Sequence, residues 1–538
     1  MRARSSVSMF HWQELLLLCA LSPHPRLLLI SFDGFRHDLL NKTFVPNIAA
    51  WASRGTWFTS GVKSQYITFT VPNHMSMATG RYEENHGIVS NFFYDTGSNK
   101  FFDYFNYTKV DSAKESRSEF WYSADPIWLT NERASSTRFS SVFYWPAGDS
   151  SFPLPPHKPT FSKSWKERGV LKDWMRDCDD VLEQLTREEK PSNFVIWYIA
   201  EPDSTLHMNG FFNGELKKVL KHLDEVFRYF LKRLEDLDLE DKVNVILTAD
   251  HGHAEIKDEK HVMCLRDFIH GDDFVLTDHM IYPKNSQHAQ ELVKNLTDAV
   301  EKHDFKVNIH WKENFPAMYH YKNTSRVGQI ILEPQIGSSI SFSCSAATLE
   351  STYGINGTVR FNSSTHGMDP DRPEMRAILA MNGPLFASKI AIDEIPENID
   401  LYLLMCNVLN ITPSLNDGSF EIIGKALRAY DRSNVRHGTG YLMVTDTMGF
   451  LFVLAPSMCI VILFLVYGCR RTVLKGDISW GRTDAVQGYR PLQNESAADF
   501  DVEESRAPSN NRFSNLGQIN SGAVSMSGLL DEMSDDEL

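Results

Sequence analysis

"RLLLISFDGFR", residues 26–36, begins with an almost unbroken apolar run and stops abruptly at Asp33-Gly34. A strand with one wet face alternates apolar and polar residues, whereas a strand covered on both faces reads as continuous. The segment is therefore expected to be a buried parallel strand. The same grammar recurs in "NFVIWYIA" (193–200), followed by Glu201-Pro202-Asp203, and in "KVNVILTA" (242–249), followed by Asp250-His251-Gly252. "MRAILAMNG" (375–383) is a fourth such run. Between them lie amphipathic helical patterns, clearest over 214–237, with Leu216, Val219, Leu220, Leu223, Val226, Phe227, Phe230 and Leu231 on one stripe. Strands alternating with helices predict an α/β fold with a largely parallel central sheet flanked by helices. The less regular stretch from about 255 to 335 is expected to be a small inserted subdomain.

Composition limits what such a chain can be. Its 538 residues, 42% hydrophobic and 23% charged, suit a large globular domain, and no internal repeat is visible. A net charge of -15 argues against nucleic-acid binding, which needs a basic face. "ELLLLCALS" (14–22), preceded by Arg2 and Arg4, is too short to span a bilayer and reads as a secretory signal peptide covering 1–24. "MGFLFVLAPSMCIVILFLVYGC" (448–469) is uncharged and long enough to span. Arg470, Arg471 and Lys475 follow it, which assigns residues 470–538 to the cytoplasm as a polar, disordered tail. The expected topology is type I at the plasma membrane, with a juxtamembrane stalk over 416–447. Asn-X-Ser/Thr acceptors at Asn41, Asn106, Asn295, Asn323, Asn356, Asn362 and Asn410 all precede the span, as glycosylation of an outer domain requires. Cys178, Cys264, Cys344 and Cys406 also fall on that side, enough for two disulfides in any of three connectivities. In the tail, Tyr489-Arg-Pro-Leu492 has the form of an endocytic adaptor signal.

In sheets of this class ligands bind beyond the carboxyl ends of the strands, and here those ends carry acids and histidines. "EPDSTLH" places His207 four residues after Asp203, so on a helical turn a carboxylate and an imidazole share one face. "TADHGH" sets Asp250 and His251 side by side at a glycine turn, and "STHGMDP" supplies His366. Three carboxylates and three imidazoles, counting Asp33, suit two borderline divalent cations, zinc above all. Calcium or magnesium would call for more oxygen ligands. In "ITFTVPNHMSMATG" (67–80), Thr70 reads as the last extended residue before the Pro72-Asn73 turn.

"SFDGFR", T-x-T-x-P-N-H (68–74), "ATGRYEENHGIVSN", E-P-D-x-x-x-H, "DHG" and "HGMD" occur in this order. Together they resemble the ectonucleotide pyrophosphatase/phosphodiesterase family of the alkaline phosphatase superfamily, over roughly residues 26–415. The type I topology and "FWYSADPIWLTNERA" (120–134) are similar to its short members. The resemblance implies a nucleophile at Thr70, with Thr68 as the second threonine of the motif. It implies two zinc ions, one held by Asp203, His207 and His366, the other by Asp33, Asp250, His251 and the Thr70 oxygen. It implies that Asn91 donates to a phosphoryl oxygen. The reaction implied is hydrolysis of extracellular nucleotides or dinucleotides such as NAD, ATP or diadenosine polyphosphates to 5′-monophosphates, through a phosphorylated Thr70.

Three positions depart from the family pattern: Phe69 replaces a usual Lys, Val71 a usual aromatic, and His253 a usual Met. None is expected to ligate metal. The resemblance implies that Val71 adjoins the substrate, where it offers a base no π face, and Phe161 or Trp165 is a candidate for the opposite wall. That leaves two alternatives to the nucleotide reading: a choline-phospholipid phosphodiesterase, and a surface receptor that has lost catalysis.

Overall fold

The computed structural model describes residues 22–105, 115–165, 169–256, 259–342 and 363–428. Residues 1–21 of the expected signal peptide, the acceptors Asn106, Asn356 and Asn362, Cys344, most of the expected stalk, the 448–469 segment and the tail with Tyr489–Leu492 lie outside the described residues. Among the described residues no helix is long and apolar enough to cross a membrane.

The four apolar runs all become strands of one eight-stranded sheet. Across it the order is Ile390–Ile392, Thr56–Phe58, Leu379–Asn382, Val243–Thr248, Arg26–Phe32, Phe194–Ile199, Ser140–Phe143 and Phe161–Lys163. Arg26–Phe32 lies at the centre, parallel to both neighbours, and is buried from Leu27 onward, as its unbroken apolar run requires. The sheet is mixed, because Leu379–Asn382 runs antiparallel to both strands it pairs with. The reason lies just upstream. The chain has reached the site edge of the sheet at His366, and a strand starting from that edge can only run away from it.

Successive side chains on a strand face opposite sides. Ser31 meets His74 of helix Thr70–Thr79, and Phe32 meets Phe227 of helix Glu215–Asp236. Helices therefore cover both faces. On the Phe32 side, Glu215–Asp236 packs against Pro46–Arg54 and Leu171–Thr186 with its whole apolar stripe buried except the half-buried Leu231. On the Ser31 side, Thr70–Thr79 packs with Asp400–Leu409 and Ile127–Arg133.

The inserted subdomain is present over residues 262–341. Phe274–Thr277, Met280–Pro283, Ile330–Pro334 and Val307–Trp311 form an antiparallel sheet, with helix Ser286–His303 beside it. It has a core of its own around Leu276, Ile281, Leu292, Leu296 and Leu332. The expectation of two disulfides fails: Cys178 and Cys406 are free and buried. They sit in helices on opposite faces of the sheet, where each thiol acts as a small core hydrophobe. Cys264 is disulfide-bonded. Of the described glycosylation acceptors, Asn295 and Asn410 are exposed, Asn41 is half-buried, and Asn323 is exposed with its amide nitrogen bonded to Glu84.

Candidate functional site

Three adjacent parallel strands end level with one another and release the acids seen in the sequence. Phe32 pairs with Ile199, and Ser31 with Thr248. Asp33 follows the central strand directly, Asp250 and His251 follow the strand on one side, and Asp203 opens helix Asp203–Asn209 after the strand on the other. His207 lies one turn along that helix, so Asp203 and His207 share a face. His366 enters from the loop before the antiparallel strand. All six residues converge.

Thr70 is not extended. It is the first residue of helix Thr70–Thr79, and Phe69 before it is the last extended residue. Pro72 sits in the first helical turn, where its missing N–H breaks no helical bond. Thr70 Oγ1 is 3.5 Å from His251 Nε2. The same nitrogen is 3.0 Å from Asp250 Oδ2 and 3.6 Å from Asp33 Oδ1. Asp33 Oδ1 and Asp250 Oδ2 are buried without a hydrogen-bond partner.

Beside this group, Asp203 Oδ1 is 3.5 Å from both His207 Nε2 and His366 Nε2, and those two nitrogens are 3.0 Å apart. Ligands on one tetrahedral zinc with bonds near 2.0–2.1 Å lie about 3.3 Å from each other. The three donor atoms therefore match the edges of one coordination polyhedron. Their orientation is fixed from behind. His366 Nδ1–H donates to the Thr68 carbonyl at 2.7 Å, which turns Nε2 inward. Thr68 Oγ1 accepts from the Gly367 and Met368 amides, so the second threonine of the motif holds the His366 loop. His251 Nδ1 pairs with the Gly252 carbonyl in the same way.

The electrostatics show what the cluster lacks. Burial, reinforced by Asp250 and Asp203, pushes the Asp33 carboxyl well above its ordinary value. Burial acts on Asp203 in the same direction, but His207, His253 and His366 outweigh it and pull that carboxyl well below. Buried carboxylates this close need compensating positive charge, and the unpartnered oxygens point where cations would supply it. The donor set thus fits divalent metal.

Asn91 is tied to the start of the helix that carries Thr70. Its Oδ1 accepts from the Val71 N–H at 2.9 Å, leaving the amide nitrogen as the donating end. The Val71 side chain is fully buried in the main core and presents no wall to a ligand; on the second helical position it faces inward. Phe161 and Trp165 are half-buried, Phe161 against Phe143, and Trp165 against Phe105 and close to the Tyr198 hydroxyl.

Three residues at the site carried no role in the sequence reading. Tyr198 donates to Asp33 Oδ2 at 2.5 Å from the neighbouring strand. His74, from the P-N-H motif, lies one turn after Thr70; Nδ1 is 2.8 Å from the Thr70 carbonyl and Nε2 is 3.1 Å from Ser31 Oγ. His253 is fully buried, with Nε2 2.6 Å from Asp203 Oδ1 and Nδ1 3.2 Å from Ser364 Oγ. It belongs to the group Asp203, His207, His253 and His366 whose donor atoms lie within metal-binding reach of one another. The histidine two residues after His251 was itself the signal, since a short strand-end turn can bring both rings to one cavity.

Comparison with known proteins agrees with this geometry. The type I phosphodiesterase / nucleotide pyrophosphatase family profile matches residues 27–369. The bis(5′-adenosyl)-triphosphatase enpp4 of Xenopus laevis is 31% identical over 443 residues, 82% of this chain and 89% of that protein. Ectonucleotide pyrophosphatase/phosphodiesterase family member 7 of Rattus norvegicus is 29% identical, over 80% and 92% of the two chains. Among solved structures, murine ectonucleotide pyrophosphatase/phosphodiesterase 5, an inactive threonine-to-alanine variant in complex with AMP, superposes with a TM-score of 0.65 at 29% identity. The match covers 75% of this chain and all of that one.

Proposed function

The chain belongs to the type I phosphodiesterase / nucleotide pyrophosphatase family and is a hydrolase of phosphodiester bonds, and from that premise we propose a zinc-dependent enzyme that cleaves extracellular nucleotides and dinucleotides to nucleoside 5′-monophosphates. The observation that supports this reading is Thr70 Oγ1 at a helix start, 3.5 Å from His251 Nε2, whose ring nitrogen also lies near Asp33 and Asp250.

One cation would be held by Asp203, His207 and His366, with His253 at its edge, and the other by Asp33, Asp250, His251 and Thr70. Bound there, two zinc ions would lower the pKa of the Thr70 hydroxyl and stabilise charge on the attacking and leaving oxygens. The chain's own residues do the rest. Thr70 Oγ1 gives its proton to solvent and forms a bond to phosphorus as the bond to the leaving oxygen breaks, that oxygen departing with the electron pair. The Thr70 N–H, an orphan donor at the helix start, and the Asn91 amide nitrogen then face the equatorial phosphoryl oxygens. Water displaces Oγ1 from the phosphorylated Thr70, releasing the monoester and restoring the hydroxyl. The sequons and the 448–469 segment support a catalytic domain outside the cell on a single-span anchor, with the Tyr489–Leu492 motif open to an adaptor inside.

The test is product analysis on the full chain supplied with zinc, offering ATP, NAD, a diadenosine polyphosphate and lysophosphatidylcholine. The expected result is AMP from the nucleotides. Thr70→Ala should lower turnover by roughly a thousand-fold or more while zinc is still held at Asp203, His207 and His366. Phosphocholine as the sole product would move the enzyme to lipid substrates. Zinc binding with no turnover of any substrate would favour a binding role.

A further inference from the structure

The inserted subdomain touches the site through the tip of one hairpin. Strands Phe274–Thr277 and Met280–Pro283 pair antiparallel, and the two residues joining them are Asp278 and His279. Asp278 Oδ2 accepts from Ser90 Oγ at 2.6 Å and from the Phe92 amide at 2.9 Å. Those two donors flank Asn91. A single carboxylate oxygen therefore grips the chain immediately before and immediately after the residue expected to donate to phosphate.

His279, the other tip residue, reaches Phe69 and the loop that carries His366. Its ring lies edge-on to Phe69 at 5.0 Å, and Phe69 lies edge-on to His366 at 5.5 Å. A Cβ on Gly367 would stand 2.6 Å from Phe69 and 3.0 Å from His279, so these groups meet at closest approach. The Leu332 amide donates to the His279 carbonyl, which ties the tip to its own sheet.

Building on the proposed role of Asn91, we infer that Asp278 is a positioning residue for phosphoryl transfer: the hairpin tip of the subdomain holds Asn91 in register with Thr70. The geometry makes this specific. Asn91 is held at its side chain by the Val71 amide, on the helix that carries Thr70, and at its flanks by Asp278. The Asn91 carbonyl also accepts from the Tyr104 amide at 3.2 Å, and Phe92 starts a strand paired with Asp103. The Asp278 bonds add the contact that reaches this stretch from the subdomain. Catalytic hydrogen bonds lose their value quickly with misplacement on the scale of an ångström.

The test is a double-mutant cycle read with bis(p-nitrophenyl) phosphate on the zinc-loaded full chain. Asp278→Ala should lower kcat/KM about ten- to a hundred-fold with zinc content unchanged. Asp278→Asn, which keeps one acceptor oxygen, should recover most of that loss. Adding Asn91→Ala to Asp278→Ala should cost little more than Asn91→Ala alone, since both act through one contact. Ser90→Ala removes one donor to the carboxylate and should give a smaller loss, again not additive with Asn91→Ala. It supplies the same cycle if Asp278→Ala does not fold. Fully additive losses would overturn the inference while leaving the enzyme assignment standing. Asn91→Ala at wild-type kcat/KM would overturn both the role of Asn91 and this inference, and Thr70→Ala would still test the enzyme assignment independently.

Discussion

His253 shows how one side chain changes the site. Its ring is wedged between Asp203 Oδ1 and Ser364 Oγ, and Ser364 Oγ donates onward to the Leu206 carbonyl. A methionine there could fill the space but could neither bond nor compete for Asp203. Groups that orient metal-binding carboxylates typically contribute ten- to a hundred-fold in metal affinity. His253→Met is therefore expected to weaken zinc retention by about that factor, measured by competition with a coloured chelator. Unchanged retention would show that Asp203 needs no such partner. At this scale the sequence was explicit about residue types and silent about contacts. Asp33, Asp203, Asp250 and His251 announced themselves by following apolar runs, His207 by its spacing from Asp203, and His366 by its place before a glycine. Tyr198 and His74 did not, because a tyrosine inside an apolar strand and a histidine on a buried helix look like ordinary core residues until the partner is seen.

Helix Asp400–Leu409 packs behind the helix that carries Thr70, and it begins with a buried carboxyl. Asp400 accepts from the Glu397 amide at 2.9 Å and the Ser419 amide at 2.6 Å, yet burial pushes its pKa up to about 7. The sign of the linkage follows. The unfolded chain loses this proton near 3.8 and the folded chain near 7, so between those values the folded state binds more protons and stability falls as pH rises. Above about 7 the penalty is complete and constant. The wild type should therefore lose stability relative to Asp400→Asn between pH 4 and 7, read from urea unfolding at a series of pH values. Parallel stability curves for the two proteins would rule this out. The elements themselves were largely legible: the unbroken apolar runs gave strands, and the 3.6-residue stripe gave helix Glu215–Asp236. The direction of Leu379–Asn382 was not, since an apolar run has the same composition whichever way it lies. Thr70 was misplaced by one element, because β-branched residues favour extended backbone locally while the Pro72 that follows them is equally at home in a first helical turn.

At the scale of the whole molecule, the charges concentrated at the middle of the sheet tie stability to metal. Asp33, Asp203 and Asp250 end three neighbouring strands, so their mutual repulsion acts on the centre of the fold. A ligand bound only by the folded state stabilises it by about 2.7 kcal/mol at a hundred times its Kd. Chelator-treated protein should melt several degrees lower than zinc-loaded protein, with the difference growing with free zinc concentration. Equal melting temperatures would mean that no tight metal site contributes to stability. The sequence by itself determined the fold class, the family and the list of candidate ligands, because hydrophobic periodicity and strand-end chemistry are local properties written within a few residues. Only the tertiary structure decided that Thr70 opens a helix beside His251, that His253 bonds Asp203, that Val71 faces the core, that Cys178 and Cys406 stay unpaired, and that Asp278, 187 residues downstream of Asn91, bonds the residues on either side of it. Those outcomes depend on which distant segments pack together, and packing is set by the summed burial of the whole chain rather than by any stretch of it.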